Sequence, residues 1–336
     1  MDTHTLLHFP GSLLSERNMV ASYDIEQGCT YPSLSPLTHG AVLNYARQPF
    51  QLDFAAVHTL TLVNGMGVTL GDSVIGIEVL HYLRQRYPDL RVRVLRPARC
   101  ADFVEQLYRL ALDSGIIDVL AYLPQPLPEP APQDVYIDMG NQLFRDDFAT
   151  LDMHDFFYRH TGIDEKPVPD AAKQNRWLRR VDLRPSERLA PEYVLFCPEA
   201  STALRAIPPR FHQTLVERLH QRFRLPVLGF GNVEYSHYHN ITQRCQDTLS
   251  FIAAIARANF LYTADSSALH IAAGFGVPTR ALFNAIPPAL RARYYPACDS
   301  VWTGTKATEA LHQSHDPRTL RAVEESIARL MQNGEL

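Results

Sequence analysis

YTADSSALHIAAGFGVPTRALF, residues 262–283, reads as strand, loop, helix, turn and strand. Residues 260–263 are a short apolar, β-prone run. Asp265, Ser266 and Ser267 form a polar loop, and any of them can cap a following helix. Residues 268–275 are small and apolar, which suits a helix lying close on a sheet. Gly276 and Pro278 stop that helix, and 279–283 resumes as a strand. A helix that begins at the carboxyl edge of a parallel strand presents unbonded N–H groups and the positive end of its dipole, a ready place for an anion. Any βαβ unit with an ordinary capped helix offers the same geometry. The stretch therefore decides for an α/β fold and by itself only suggests a phosphate.

The same alternation extends in both directions. Upstream, 193–197 is an apolar strand that leads through PEASTALRAIPP (198–209) into a helix over 211–223. A strand over 225–229, the loop FGNVEYSHYHN and a helix over 249–258 return to the opening stretch. Downstream, NAIPPALRARYYP (284–296) is a proline- and arginine-rich loop. Val301 and Trp302 suggest a last short strand. Leu320, Val323, Ile327 and Leu330 share one face of an amphipathic helix over 317–331. An earlier α/β register starts with a strand over 59–63, the glycine-bearing loop NGMGVTLG (64–71) and a helix over 74–87. It continues with a strand over 91–95, a helix over 101–112 and strands over 119–123 and 135–139, the last two joined by the proline-rich QPLPEPAPQ. The first glycine loop lacks both GxGxxG and a closing GK[ST], so it is neither a dinucleotide fingerprint nor a P-loop. Prolines and charges place the boundary between the two registers near 182–192. Residues 1–57 carry Pro, Gly, Ser and Tyr punctuation and read as a loop-rich extension of uncertain structure, with no assignable chemistry.

The chain has 336 residues, 46% hydrophobic and 20% charged, which suits a soluble globular protein of about two domains. A formal net charge of −4 gives no electrostatic argument for nucleic acid as a partner. Two basic clusters, Arg84/Arg86/Arg91/Arg93/Arg96/Arg99 and Arg176/Arg179/Arg180, read as solvated faces or as a patch that meets an anionic acceptor or membrane surface. Five scattered cysteines without a CxxC pair argue against a disulfide framework or a zinc site, and fit a reducing compartment. No run of about 18 apolar residues suggests a membrane span. The N-terminal stretch lacks the basic and apolar regions of a secretory signal. A cytoplasmic location is the expectation.

Three spots suit chemistry. Asp72 stands at a helix start after a glycine loop, where the helix dipole favours a carboxylate, as it also would at a plain N-cap. Arg205 stands in a Ser/Thr-rich loop after a strand, where a guanidinium suits phosphate, or is a solvated loop charge. Asp265, Ser266 and Ser267 stand with His270, which is otherwise an ordinary helix histidine bonded to a carbonyl.

In this order and at these separations the segments resemble family 9 glycosyltransferases, the group of the ADP-heptose:lipopolysaccharide heptosyltransferases. TLGDSVIGIEVLHYLRQRYPDLRVRVL (69–95) resembles the family opening, CPEASTALRAIPPRFHQTLVERL (197–219) is similar to its phosphate loop, and ADSSALHIAAGFGVPTRALF (264–283) resembles its D-S-G-x-x-H signature. The resemblance implies the GT-B architecture, two Rossmann-like domains facing a central cleft. The domains would be an N-terminal acceptor domain over 58–185, a nucleotide-sugar domain over 190–312 and a helix over 313–336 crossing back to the first domain. It also implies an inverting, metal-independent transfer of a sugar, a heptose in the best-matching group, from a nucleotide-diphosphate donor to an acceptor hydroxyl of lipopolysaccharide or another surface glycan. No cofactor is implied, and transient contact with the inner membrane face is permitted. By resemblance, Asp72 would be the general base. Ser201, Thr202, Arg205 and the N–H groups at Ser266 and Ser267 would meet the diphosphate. Asp265 would organise the loop or hold a sugar hydroxyl, His270 would support the loop or touch phosphate, and Glu234 would hold ribose hydroxyls. Four positions depart from the family pattern. Glu199, Ser267 and Asn284 stand where Gly is usual, and Arg205 stands where Lys is frequent. These departures bear on the donor more than on the fold. They leave open a non-catalytic nucleotide-sugar-binding protein or a sugar-nucleotide epimerase on the same fold.

Overall fold

A computed structural model describes residues 3–309 and 311–336. The chain forms two compact units, Met1–Lys173 and Gln174–Leu336.

The first unit opens with short elements: α1 (Thr3–Leu7), β1 (Leu13–Ser15), β2 (Asn18–Val20), α2 (Ser22–Glu26) and β3 (Leu34–Pro36). Then follow β4 (Thr59–Val63), α3 (Leu70–Arg86), β5 (Arg91–Arg96), α4 (Asp102–Asp113), β6 (Val119–Tyr122), β7 (Gln125–Pro126), β8 (Asp134–Asp138) and α5 (Met153–His160). Strands β4, β5, β6 and β8 form a parallel sheet in the order β6-β5-β4-β8. The chain leaves β4 toward β5 on one side and returns to β8 on the other, so the sheet reverses direction beside β4. The extension 1–57 is built into this unit. Its strands form an antiparallel sheet, β3-β1-β2-β7, closed by the first residues of the proline-rich connector. Two buried carboxylates anchor it. Asp138, at the end of β8, accepts from Ser12 N (2.8 Å), Ser12 Oγ (2.6 Å) and Asn44 Nδ2 (3.1 Å). Asp24 accepts from the amides of Ala98 (3.0 Å) and Arg99 (2.8 Å).

A buried relay continues from the same end of β8. Arg145 donates through Nη2 to the carbonyls of Asp138 and Gly140 (each 2.9 Å), and its Nη1 lies 2.7 Å from His160 Nδ1. A guanidinium only donates, so His160 Nδ1 accepts, and Nε2 carries the proton offered to Asp147 Oδ1 at 2.8 Å. The ring is therefore neutral. Burial, with the charge of Arg145, holds its pKa down at about 4 despite the Asp147 bond. A histidine whose folded pKa lies below its unfolded value stabilises the fold above pH 6.5, and that contribution is lost as pH falls through about 4. The full difference is worth about 3 kcal/mol. Burial also lowers His212, which adds the same sign. Urea midpoints should fall between pH 7 and pH 4.5, and the fall should shrink in His160→Gln. A flat profile over that window would contradict the buried neutral ring.

The second unit contains β9 (Val194–Cys197), α6 (His212–Phe223), β10 (Val227–Gly229), β11 (Tyr238–Asn240), α7 (Thr248–Ala256), β12 (Phe260–Ala264), α8 (Ser267–Phe275), β13 (Thr279–Phe283), β14 (Cys298–Trp302) and α9 (Pro317–Gln332). Its six strands are all parallel, in the order β11-β10-β9-β12-β13-β14. The reversal point lies between β9 and β12. Only β11, inside the loop after β10, was hidden by its polar composition.

One boundary differs from the sequence reading. The units divide at Lys173/Gln174, ahead of 182–192. Residues 175–180 belong to the second unit because they dock on α8. Asn175 Nδ2 donates to the His270 carbonyl (2.9 Å) and Arg179 Nε to the Gly274 carbonyl (2.7 Å). A Cβ on Gly274 would stand 2.5 Å from the Asn175 carbonyl oxygen, so the approach needs glycine. The apolar face of α9 is buried in its own unit, with Val323, Ile327 and Met331 packed among Leu215, Val216 and Leu219 of α6.

Candidate functional site

In open parallel sheets, ligands sit beyond the carboxyl ends of strands where the strand order reverses. Each unit has such a point, and the candidate residues gather at both.

In the first unit the point is the turn 64–69 between β4 and α3. Asn64, Met66 and Gly67 all have left-handed backbones, with φ of 56°, 57° and 78°. Such a conformation is costly for a side chain like that of Met66 and persists only where the surroundings impose it. Here a buried guanidinium imposes it. Arg96 donates to the carbonyls of Gly65 (2.6 Å) and Gly67 (2.5 Å), lies 4.1 Å from the centre of the Tyr108 ring and is 0% exposed. This corrects the reading of Arg96 as part of a solvated or acceptor-facing basic cluster. Thr69 stands at the N-cap position of the following helix without a side-chain cap bond, so Asp72 is not an N-cap; it is the acid of the first turn of α3. Its Oδ2 accepts from Gln142 Nε2 at 2.8 Å. A Cβ on Gly67 would stand 2.6 Å from Asp72 Cβ, so the glycine lets turn and carboxylate meet. Gln142 and Arg96 could not be found from the sequence, because neither falls in a motif.

In the second unit the point brings together the loops after β9 and β12. Arg205 donates through Nε to Asp265 Oδ2 (3.0 Å), through Nη2 to the Asp265 carbonyl (2.8 Å) and through Nη1 to Ser201 Oγ (3.2 Å). Thr202 Oγ1 donates to the His312 carbonyl at 3.3 Å. Asp265 is 0% exposed, and its Oδ1 has no hydrogen-bond partner among the described residues. Ser266 is the N-cap of α8, yet its side chain makes no cap bond; its hydroxyl lies 3.2 Å from Thr263 Oγ1. Leu269 N–H bonds back to the Ser266 carbonyl (3.2 Å), which leaves the start of α8 at Ser267 as the part that suits an anion, aided by the dipole. Partial burial, with the charges of Arg291 and Arg205 and against that of Asp265, holds the His312 imidazole below its ordinary range.

His270 is buried in α8 with Nδ1 2.8 Å from Tyr295 Oη, and Asn175 Nδ2 donates to that same hydroxyl at 2.9 Å. Glu234 is exposed on the loop after β10. Glu199 Oε1 lies 3.9 Å from where a Cβ on Gly231 would stand, so this acid leans on the turn after β10. Asn284 has a clear structural task. Its Nδ2 donates to the carbonyls of Leu204 (3.1 Å) and Ala206 (2.8 Å), which pins the Arg205 loop to the end of β13. Among the described residues no group of three or more His, Cys, Asp or Glu could hold a metal ion. No described helix is long and apolar enough to cross a membrane.

No protein-family model matches the sequence, and no curated protein does. Solved structures do match in fold. ADP-heptose lps heptosyltransferase II of E. coli superposes with a TM-score of 0.51 at 15% identity, covering 83% of this chain and all of that one. The iron-containing dodecameric glycosyltransferase TibC of enterotoxigenic E. coli gives 0.51 at 14% identity, over 91% of this chain and 81% of that one. A second TibC structure, a heptosyltransferase in complex with ADP-D-beta-D-heptose, gives 0.50 at 14% identity over the same shares. The chain thus has the α/β fold of these glycosyltransferases.

Proposed function

We propose that the chain is a glycosyltransferase of the heptosyltransferase kind, inverting and independent of metal, which moves a sugar from a nucleoside-diphosphate donor to a hydroxyl of a surface glycan such as lipopolysaccharide. The observation that carries this reading is the Arg205–Asp265–Ser201 arrangement at the reversal point of the second sheet, beside the open N-terminus of α8. The fold shared with a heptosyltransferase bound to ADP-heptose supports it.

The chemistry follows from the side chains. The acceptor oxygen attacks the anomeric carbon as the bond to the diphosphate oxygen breaks, and a single displacement inverts that carbon. The hydroxyl proton passes to a carboxylate oxygen of Asp72, which Gln142 keeps in one orientation. Negative charge grows on the departing diphosphate. Arg205, the Ser201 hydroxyl and the N–H groups at Ser266 and Ser267 are donors for it, and the Thr202 hydroxyl would join them by turning from the His312 carbonyl. Oδ1 of Asp265, buried and without a partner, suits a sugar or ribose hydroxyl. Glu234 would hold the ribose, and His270 supports α8 through Tyr295. The five free thiols suit a reducing, cytoplasmic setting, with transient contact at the inner membrane face.

Incubation with ADP-heptose and a lipopolysaccharide-core acceptor in excess EDTA should release ADP only when the acceptor is present. An absolute requirement for added metal would overturn metal independence. ADP release without acceptor would turn the reading to a hydrolase. Absence of binding by every nucleoside diphosphate would remove the donor site.

A further inference from the structure

The opposite end of the second sheet carries a separate cavity of about 400 Å³. It is lined by Leu215, Leu219 and Phe260, by Tyr262, and by three guanidiniums, those of Arg218, Arg222 and Arg280. Phe260 and Arg280 stand at the amino-terminal ends of β12 and β13, whereas Asp265 and Asn284 follow the carboxyl ends of those strands. The cavity is therefore distinct from the donor loops, and the proposal made for it stands independently of the proposed transfer.

Two of the cationic groups are already engaged. Arg218 donates to the Met331 and Leu336 carbonyls at the end of α9. Arg280 pairs with Asp299, 2.8 Å from its Nε. Arg222 has no ion pair among the described residues and only leans on aromatic faces, 5.2 Å from the Phe223 ring centre and 5.9 Å from that of Phe260. Tyr262 is 3% exposed, and its hydroxyl is buried without a hydrogen-bond partner among the described residues. A buried hydroxyl left unpaired is costly, and native structures reserve that state for a group that finds its partner in a ligand or a water. Asp299 is the acid whose charge reaches this hydroxyl, and Arg280 already holds it.

From the unpaired Tyr262 hydroxyl, the unengaged Arg222 and the apolar wall between them, we infer that this cavity binds a small organic anion, with the oxyanion on Arg222 and Tyr262 and an apolar body against Leu215, Leu219 and Phe260. Guanidinium forks match carboxylate and phosphate alike, so the shared chemistry is an oxyanion carried on an apolar group. A ligand there would touch α6, Gly334 and Leu336 beyond α9, and the roots of β12 and β13, and so would stabilise the unit that carries the donor loops.

Phenyl phosphate is a suitable probe, with hexanoate and inorganic phosphate beside it, titrated calorimetrically into the full chain. Saturable binding of phenyl phosphate or hexanoate, at least about tenfold tighter than inorganic phosphate, is expected, because the apolar body adds buried area to the same charge-assisted bonds. Whichever of the two binds tighter identifies the headgroup. Binding should weaken about tenfold in Arg222→Gln and several-fold in Tyr262→Phe, the loss of one hydrogen bond each. Tyr262→Phe removes only an unpaired hydroxyl, so it will fold. Arg205→Gln should leave the affinity unchanged, and ADP affinity should be unchanged in Tyr262→Phe and Arg222→Gln. Absence of saturable binding, affinity indifferent to both cavity variants, or loss of probe binding in Arg205→Gln would each overturn the proposal.

Discussion

Asp72→Asn should give a folded protein that binds the donor as the parent does and transfers sugar between about a hundredfold and ten-thousandfold more slowly, the range expected when a positioned general base is removed. The amide keeps the size of the carboxylate and can still bond Gln142, so the turn 64–69, fixed by Arg96, should not move. The effect should fall on turnover and leave donor affinity alone, since Asp72 belongs to the first unit and the proposed diphosphate donors to the second. Acceptor-dependent ADP release at saturating donor measures it. Parent-like turnover would remove Asp72 from the chemistry. A matching loss of stability would make it a structural acid.

Arg205→Ala should lower transfer by about a hundredfold to a thousandfold, the usual effect of removing one fixed donor to a developing oxyanion. It should also destabilise the second unit. Asp265 is fully buried and Arg205 holds both its Oδ2 and its carbonyl, so truncation leaves a buried charge uncompensated, at a cost of about 3–5 kcal/mol. Arg205→Lys keeps the charge but not the fork, and should fall between the parent and the alanine variant. The two roles separate in the double variant Arg205→Met with Asp265→Asn. Removing the charge from both partners should restore most of the stability and none of the transfer. Recovery of both would mean that the ion pair only holds the loop together.

Much of the fold was legible. Strand 59–63 and strand 279–283 form as the apolar runs indicated, because β-branched and aliphatic residues between turn signals have few other ways to bury themselves. The loop–helix junction at 265–267 was legible for a similar local reason: a polar triplet meets a run of small apolar residues. Glu199 shows the limit of such reading. In the sequence it is an acid beside an expected diphosphate; in space it leans toward Gly231. Asn284 shows the same limit. It looked like a lost glycine, yet its amide ties two carbonyls eighty residues away in the chain.

The sequence by itself determined the alternation of strands and helices, the two registers, the position of Asp72 at a helix start and those of Arg205 and Asp265 in loops after strands. These follow from local hydrophobic periodicity and turn chemistry, which need only neighbours along the chain. Tertiary structure alone decided that Arg96 is a buried clamp and not a surface charge, that Gln142 aligns Asp72, and that three short strands within 13–36 form a sheet in a segment anchored through Asp24 and Asp138. It also decided that residues 175–180 belong to the second unit and that Tyr262, with a buried unpaired hydroxyl, lines a cavity. Each depends on which distant donor meets which acceptor once the sheets have formed, and a buried polar group finds its partner by position in space, without regard to spacing in sequence.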